Sequence, residues 1–367
     1  MSALHGEAKC PDRSGARPFA QEEIVPSGCL VKHWHETAAI LDRLANLAGG
    51  ERAAIATVVR ISGSAYRRPG ARFLVERDGR TTGGVSGGCL EADVREHALK
   101  LLDGGNPRLL HYETGDSEET VWGMGLGCEG AVDVFVQRAE TEPFAPARDL
   151  LSRGSPFGLA EPFVIETAIK GPHLGRVQIA TGPAQGVSRV EERGPDTLFV
   201  DVLEPPPSLL VFGAGVDSRP LASLAHQAGF QVTVLDHRRG FLTEEHFPPP
   251  ARLVLRRAEE GVPQLTRRHF AVVETHSLQH DRDWMRALLE QPVAYLGLLG
   301  PRARKEHLFQ ELGVPPHERV FAPVGLDLGA EGPEQVSISI VAEMLAVRAG
   351  REPLHLRTKR GGIHGSR

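Results

Sequence analysis

Three glycine-bearing segments of this chain could do chemistry. The first is Gly83-Gly84-Val85-Ser86-Gly87-Gly88-Cys89-Leu90, which runs into a helical pattern ending near Leu102. Successive backbone N–H groups in such a loop can form a nest for an anion, with Ser86, Gly87 and Gly88 in its wall. The helix start that follows favours a thiolate at Cys89 and raises its reactivity. The second segment, Trp122-Gly123-Met124-Gly125-Leu126-Gly127-Cys128-Glu129-Gly130, surrounds Cys128 with glycines just before a strand. Glycine at this density costs folding entropy, and it is tolerated where something must approach the backbone closely. Two such loops together favour function over two small buried hydrophobes. A thiolate in either can serve as a soft metal ligand, a persulfide carrier or a nucleophile. Zinc does not fit, because neither cysteine has a CxxC partner or a nearby histidine at ligand spacing.

The third segment, Leu209-Leu210-Val211-Phe212-Gly213-Ala214-Gly215-Val216-Asp217-Ser218, reads as strand, tight loop and helix. Gly213 permits the turn, and Gly215 allows close approach to a diphosphate. Ser218 stands where the usual fingerprint has a third glycine and is small enough for close helix–strand packing. The helix start offers free N–H groups and a partial positive charge. Asp236 follows the second strand, 23 residues after Gly213, where a carboxylate commonly holds a ribose. Taken alone, this set suggests an NAD(P)-dependent oxidoreductase.

Further polar residues follow later strands of the same half. Thr275-His276-Ser277-Leu278-Gln279-His280-Asp281 ends one strand, which makes His276, His280 and Asp281 candidate site residues. Gly300-Pro301-Arg302 ends another in a basic helix start suited to an anion, and Gly325-Leu326-Asp327 forms a third such loop. Ligands of doubly wound sheets sit beyond the carboxyl ends of the strands, where Arg302 and Asp327 would then lie.

The elements that must position these residues divide at Pro205-Pro206-Pro207, since three prolines continue neither a helix nor a central strand. The expected organisation is a disordered arm over 1–30, an N-terminal mixed α+β domain over 31–204, a C-terminal Rossmann-like domain over 208–350 and a flexible basic tail over 351–367. In the N-terminal part the pattern gives a helix near Ala38–Ala48 and a buried strand at Ala53–Val59. A short strand follows at Arg72–Val75, and Ala131–Val136 alternates as a half-buried strand. Phe163–Ile169, Arg176–Ala180 and Leu198–Leu203 are expected to form an antiparallel portion. Beyond the prolines, strands Ser208–Phe212, Gln231–Leu235, Arg252–Leu255, Ala271–Glu274 and Ala294–Leu298 alternate with helices Arg219–Ala228, Asp281–Glu290 and Arg302–Leu312. A final helix runs over Glu334–Ala349. This is an α/β pattern with a mostly parallel sheet.

The 367 residues carry 41% hydrophobic and 24% charged side chains, enough for two ordinary cores. A net charge of -5 argues against a general nucleic-acid binder. The four cysteines are scattered, and no apolar run is long enough for a signal peptide or membrane span. A cytoplasmic protein without disulfides is the expectation.

Gly83 to Val94, Trp122 to Gly130, Gly213 to Leu221, Thr275 to Asp281, Tyr295 to Arg304 and Pro323 to Ala330, in that order, resemble the XdhC/CoxI family of xanthine dehydrogenase accessory proteins. The resemblance spans His33 to Ala349. It implies a non-enzymatic maturation factor that binds the molybdenum cofactor, as molybdopterin or molybdopterin cytosine dinucleotide. It also implies support for exchange of a molybdenum oxo ligand for sulfur, with a cysteine desulfurase as source. Insertion into an apo-molybdoenzyme of the xanthine dehydrogenase family would follow, and a homodimer is the family-level state. Cys89 and Cys128 match family cysteine positions, and the resemblance implies cofactor binding and molybdenum contact there. Glu274 stands where the family usually has an apolar residue, and Glu129 where glycine is frequent.

Overall fold

The computed structural model describes residues 31–47, 52–63, 65–114, 130–152, 162–181, 187–315 and 318–359. The expected arm over 1–30, the Cys128 loop and the end of the basic tail lie outside the described residues.

The N-terminal half opens with α1 (Val31–Ala45), β1 (Ala53–Gly63), β2 (Arg72–Glu76), β3 (Thr81–Gly83), α2 (Glu91–Leu102), β4 (Arg108–Thr114) and β5 (Gly130–Ala139). It continues with α3 (Thr141–Ser152), β6 (Phe163–Lys170), β7 (Val177–Thr181), β8 (Arg189–Arg193) and β9 (Asp196–Leu203). These strands make two sheets, ordered β3-β2-β1-β5-β4 and β7-β6-β9-β8, with antiparallel pairing throughout.

The five-stranded sheet is covered on both faces. Ala54, Ala56 and Val58 of β1 pack with Val94, Ala98 and Leu101 of α2. Ala53 and Ile55 point the other way, toward Ile40 and Leu41 of α1, Phe144 of α3 and Phe163, Ile165 and Leu203 of the second sheet. Two covered faces explain the unbroken apolar run of β1. They also correct the half-buried reading of Ala131–Val136, because the intervening Asp133 and Phe135 are buried along with Val134 and Val136. An ion pair between Arg72 of β2 and Asp201 of β9, at 2.6 Å, crosses between the sheets and is almost fully buried.

Pro205–Pro207 separate β9 from β10 (Ser208–Phe212). After β10 come α4 (Ser218–Gln227), β11 (Gln231–Asp236), β12 (Arg252–Leu255), β13 (His269–Val273), α5 (Leu278–Leu289), β14 (Tyr295–Leu298), α6 (Arg302–Leu312), β15 (Val320–Phe321) and α7 (Gly332–Ala349). The six strands are parallel, ordered β12-β11-β10-β13-β14-β15. Leu209 and Val211 of β10 face α4 and α7, whereas Leu210 and Phe212 face α5 and α6. Chain order reverses between β10 and β13, and sheets of this kind bind ligands at the carboxyl ends of the strands at such a switch point. The two halves touch where His35 of α1 meets His226 of α4, ring centroids 5.9 Å apart. Burial, then the neighbouring imidazole, pushes His35 below its usual range.

Candidate functional site

The loop after β10 lies directly on the loop after β13. Gly213 has φ +124°, and a Cβ there would come 2.6 Å from the carbonyl oxygen of Glu274, so only glycine fits. The Gly213 N–H bonds Leu235 O at 2.8 Å. The Ser218 hydroxyl donates to Gly213 O at 2.8 Å and is fully buried, which ties the first turn of α4 to the turn before it. Ser218 thus packs as closely as the sequence argument requires.

Asp236 lies beside this loop, but its carboxylate is engaged with the protein itself. Oδ2 accepts from Ala214 N at 2.8 Å and from Arg238 Nη2 at 2.8 Å. Oδ1 accepts from Arg238 N and Nε at 2.8 and 3.0 Å. Burial raises this carboxyl, yet the Arg238 and Ala214 donors outweigh burial and hold it below the ordinary carboxylate range. In this structure Asp236 braces the glycine loop, and no oxygen is left over for a ribose.

In the facing loop, His276 has φ +61°, a conformation that costs a non-glycine residue about 1 kcal/mol or more. That turn places the imidazole over Gly215, 3.4 Å from where a Cβ would stand, with Nε2 3.1 Å from Asp217 Oδ2. The turn is held by Asp281, whose Oδ1 accepts from Thr275 N at 3.1 Å and Thr275 Oγ1 at 2.5 Å. Arg304 of α6 closes the other side of Asp281 at 2.5 Å. Beneath the glycine loop lies Glu274, fully buried and pushed from an ordinary 4.5 to about 8 by burial, outweighing a Ser218 hydrogen bond. Arg302 is exposed at the start of α6, and Asp327 is exposed in the loop after β15. The carboxyl ends of the parallel strands therefore carry Gly213, Gly215, Ser218, Asp236, His276, Arg302 and Asp327, with the first five meeting at β10 and β13.

The Gly–Cys loop of the N-terminal half has a different interior. Glu91, at the first turn of α2, accepts from Val85 N at 3.1 Å and Ser86 N at 2.8 Å, and its second oxygen takes the Ser86 hydroxyl. Ser86 Oγ in turn accepts from Gly88 N and Leu90 N, each at 3.1 Å. The nest expected for an external anion is filled by this chain's own carboxylate. Burial raises Glu91, and the Ser86 and Val85 donors outweigh burial and lower it. Gly87 and Gly88 are exposed, and a Cβ at Gly88 would meet open space. Cys89 is half-buried against the α2 core and forms no disulfide. Among the described residues, no group of three or more His, Cys, Asp and Glu could hold a metal ion. Sequence reasoning missed Asp217, Glu91, Arg238 and Arg304. Glu91 had a legible signal, a carboxylate in the first turn after a glycine run.

A glycine-loop Rossmann domain joined to a two-sheet antiparallel region defines the class of this protein. The XdhC Rossmann domain matches residues 209–344, and the XdhC and CoxI family description matches residues 47–113. A Bacillus subtilis protein described as a probable component of xanthine dehydrogenase is 35% identical over 81% of this chain and 94% of its own length. The molybdenum cofactor insertion chaperone PaoD of Escherichia coli is 26% identical over 88% of this chain and 94% of its own. The crystal structure of a xanthine dehydrogenase from Bacillus halodurans superposes with a TM-score of 0.72 at 25% identity, covering 86% of this chain and 96% of that one. The chain belongs to the XdhC and CoxI family. No helix among the described residues is long and apolar enough to cross a membrane.

Proposed function

We propose that this protein is an accessory factor of molybdoenzyme maturation that carries the molybdenum cofactor as cargo. The observation behind this reading is the relation, over nearly full length, to a probable xanthine dehydrogenase component and to a molybdenum cofactor insertion chaperone. The cargo ends in a phosphate, or in a diphosphate when it is molybdopterin cytosine dinucleotide. The α4 N-terminus behind Gly213, Gly215 and Ser218 suits either. Asp236 keeps that loop in shape, His276 stands over it, and Arg302 and Asp327 follow β14 and β15 along the same edge of the sheet. The other end of the cargo is a soft, sulfur-bound metal. Cys89, beside the open backbone of Gly87 and Gly88, supplies a soft donor for it, and Cys128 is the second candidate.

In this reading a cysteine desulfurase supplies sulfur that replaces a molybdenum oxo ligand, and the loaded protein passes the cofactor to an apo-enzyme of the xanthine dehydrogenase family. The protein works as a cytoplasmic homodimer, and binding and release replace turnover. Asp236 supports this over a dinucleotide-dependent oxidoreductase, because its engagement with Ala214 and Arg238 removes the ribose anchor such an enzyme would use. Mass spectrometry of the ligand that copurifies from a host making molybdenum cofactor is the deciding experiment. Molybdopterin or its cytosine dinucleotide is expected, and a nicotinamide dinucleotide in its place would sink the proposal.

A further inference from the structure

Glu274 has no part in the arrangement above, yet it lies at its centre. Phe270 and Val272 of β13 face α4 and α7, and alternation sends the Glu274 side chain the same way, toward the start of α4. There it meets Ser218 and the carboxylates of Asp217 and Asp281. Each of the neighbouring carboxylates has a partner of its own. Asp217 meets His276, Asp281 meets Arg304, and Asp236 at the end of β11 meets Arg238. Glu274 is 2% exposed, and its Oε1 has no hydrogen-bond partner. A buried carboxylic acid tolerates such a place, whereas a buried carboxylate is disfavoured there. The same place is the positive end of α4, which an external anion would use.

We propose that the Glu274 carboxyl and an anionic group of the ligand compete for the N-terminal end of α4, so that the loop holds its ligand while Glu274 keeps its proton and releases it when that proton leaves. This rests on the reading of Gly213–Ser218 as the phosphate end of the carrier site. Only the Glu274 O–H bond breaks, and its proton goes to solvent. Burial, with Asp217 and Asp281, sets the exchange near pH 8, slightly above neutral. A diphosphate diester is the suitable probe, because its own charge stays constant across this range and leaves the protein's groups to set the dependence.

The test is calorimetric binding of CDP-choline, a cytidine diphosphate diester, to the full chain. One-proton competition lowers affinity about tenfold between about pH 7 and about pH 9, and binding at about pH 8 takes up about half a proton. In Glu274→Gln the affinity no longer falls with pH. An equal fall in that variant, or no proton uptake by the unaltered protein, overturns the proposal, and the second readout needs no variant to fold. Failure of CDP-choline to bind at any pH also overturns it. Copurified molybdenum cofactor would still stand in that case, so the two failures are separable.

Discussion

The Glu91 carboxylate sits inside the loop that presents Cys89, bonded to the backbone and side chain of Ser86. It does from within what an anionic ligand was expected to do from outside. The loop is therefore built without an external anion, and Cys89 follows it on a preformed backbone.

Removing that carboxylate should loosen the loop. Glu91→Ala leaves the Val85 and Ser86 N–H groups without their acceptor, at a cost of about 1–3 kcal/mol. Faster alkylation of Cys89, followed by peptide mass spectrometry, is expected alongside a lower Tm. Unchanged alkylation and unchanged Tm would together contradict the role assigned to Glu91.

Glu274 makes stability depend on pH in a definite direction. Its carboxyl is raised in the folded state, so the folded protein binds a proton that the unfolded chain has lost. Stability is fully present below the ordinary carboxylate range and falls as pH rises to about 8, by up to about 5 kcal/mol. Glu274→Gln should flatten this decline in urea titrations at several pH values and be more stable than the unaltered protein near pH 8. A parallel decline in both proteins would assign the effect elsewhere.

Gly213 tests the contact between the two loops. Gly213→Ala sets a Cβ against the Glu274 carbonyl at a positive φ. A backbone shift costing about 2 kcal/mol or more follows. Lower retention of molybdenum cofactor is expected with it, whereas Gly240→Ala, where a Cβ meets open space, should retain cargo normally. Equal retention by the two variants would separate the loop from the cargo.

The thiols are tested by loading with molybdenum cofactor after Cys89→Ala and Cys128→Ala. Loss of retention in at least one variant is expected, and full retention in both removes sulfur from the site.

The buried pair between the N-terminal sheets gives the largest expected loss. Arg72→Met strands the Asp201 carboxylate and costs about 3–5 kcal/mol. Adding Asp201→Leu should recover part of this in denaturant titrations. A double variant no better than the single one would mean that the rest of the Arg72 contacts, to Thr37 and Gly70, carry the stability.

The Rossmann half was legible because strand and helix periods alternate cleanly and glycine marks several of the turns. Ser208–Phe212, Arg252–Leu255 and Arg302–Leu312 have the same bounds in the structure as the sequence pattern predicts. The N-terminal half was harder. Arg189–Arg193 has the composition of a solvated loop, and it forms a strand through its hairpin with β9. Thr141–Ser152 holds Pro143 and Pro146, which argue against a helix, yet Phe144, Ala147 and Leu151 bury one face of α3. Tertiary packing outweighed local preference in both places. In the site, glycine and the small Ser218 were readable because shape alone requires them. The engagement of Asp236 was not, since its partner Arg238 lies outside the familiar fingerprint.

The double covering of the five-stranded sheet has a consequence for how the chain emerges during synthesis. The α2 side of that sheet uses residues only as far as Val136 and can close early. The opposite side needs Phe163, Ile165 and Leu203. While the intervening chain is being made, Trp34, Ile40, Ile55 and Leu74 lack those three partners, and apolar surface left uncovered in this way favours misassociation. A ribosome that stalled in this interval would hold a finished Cys89 loop on an unfinished support.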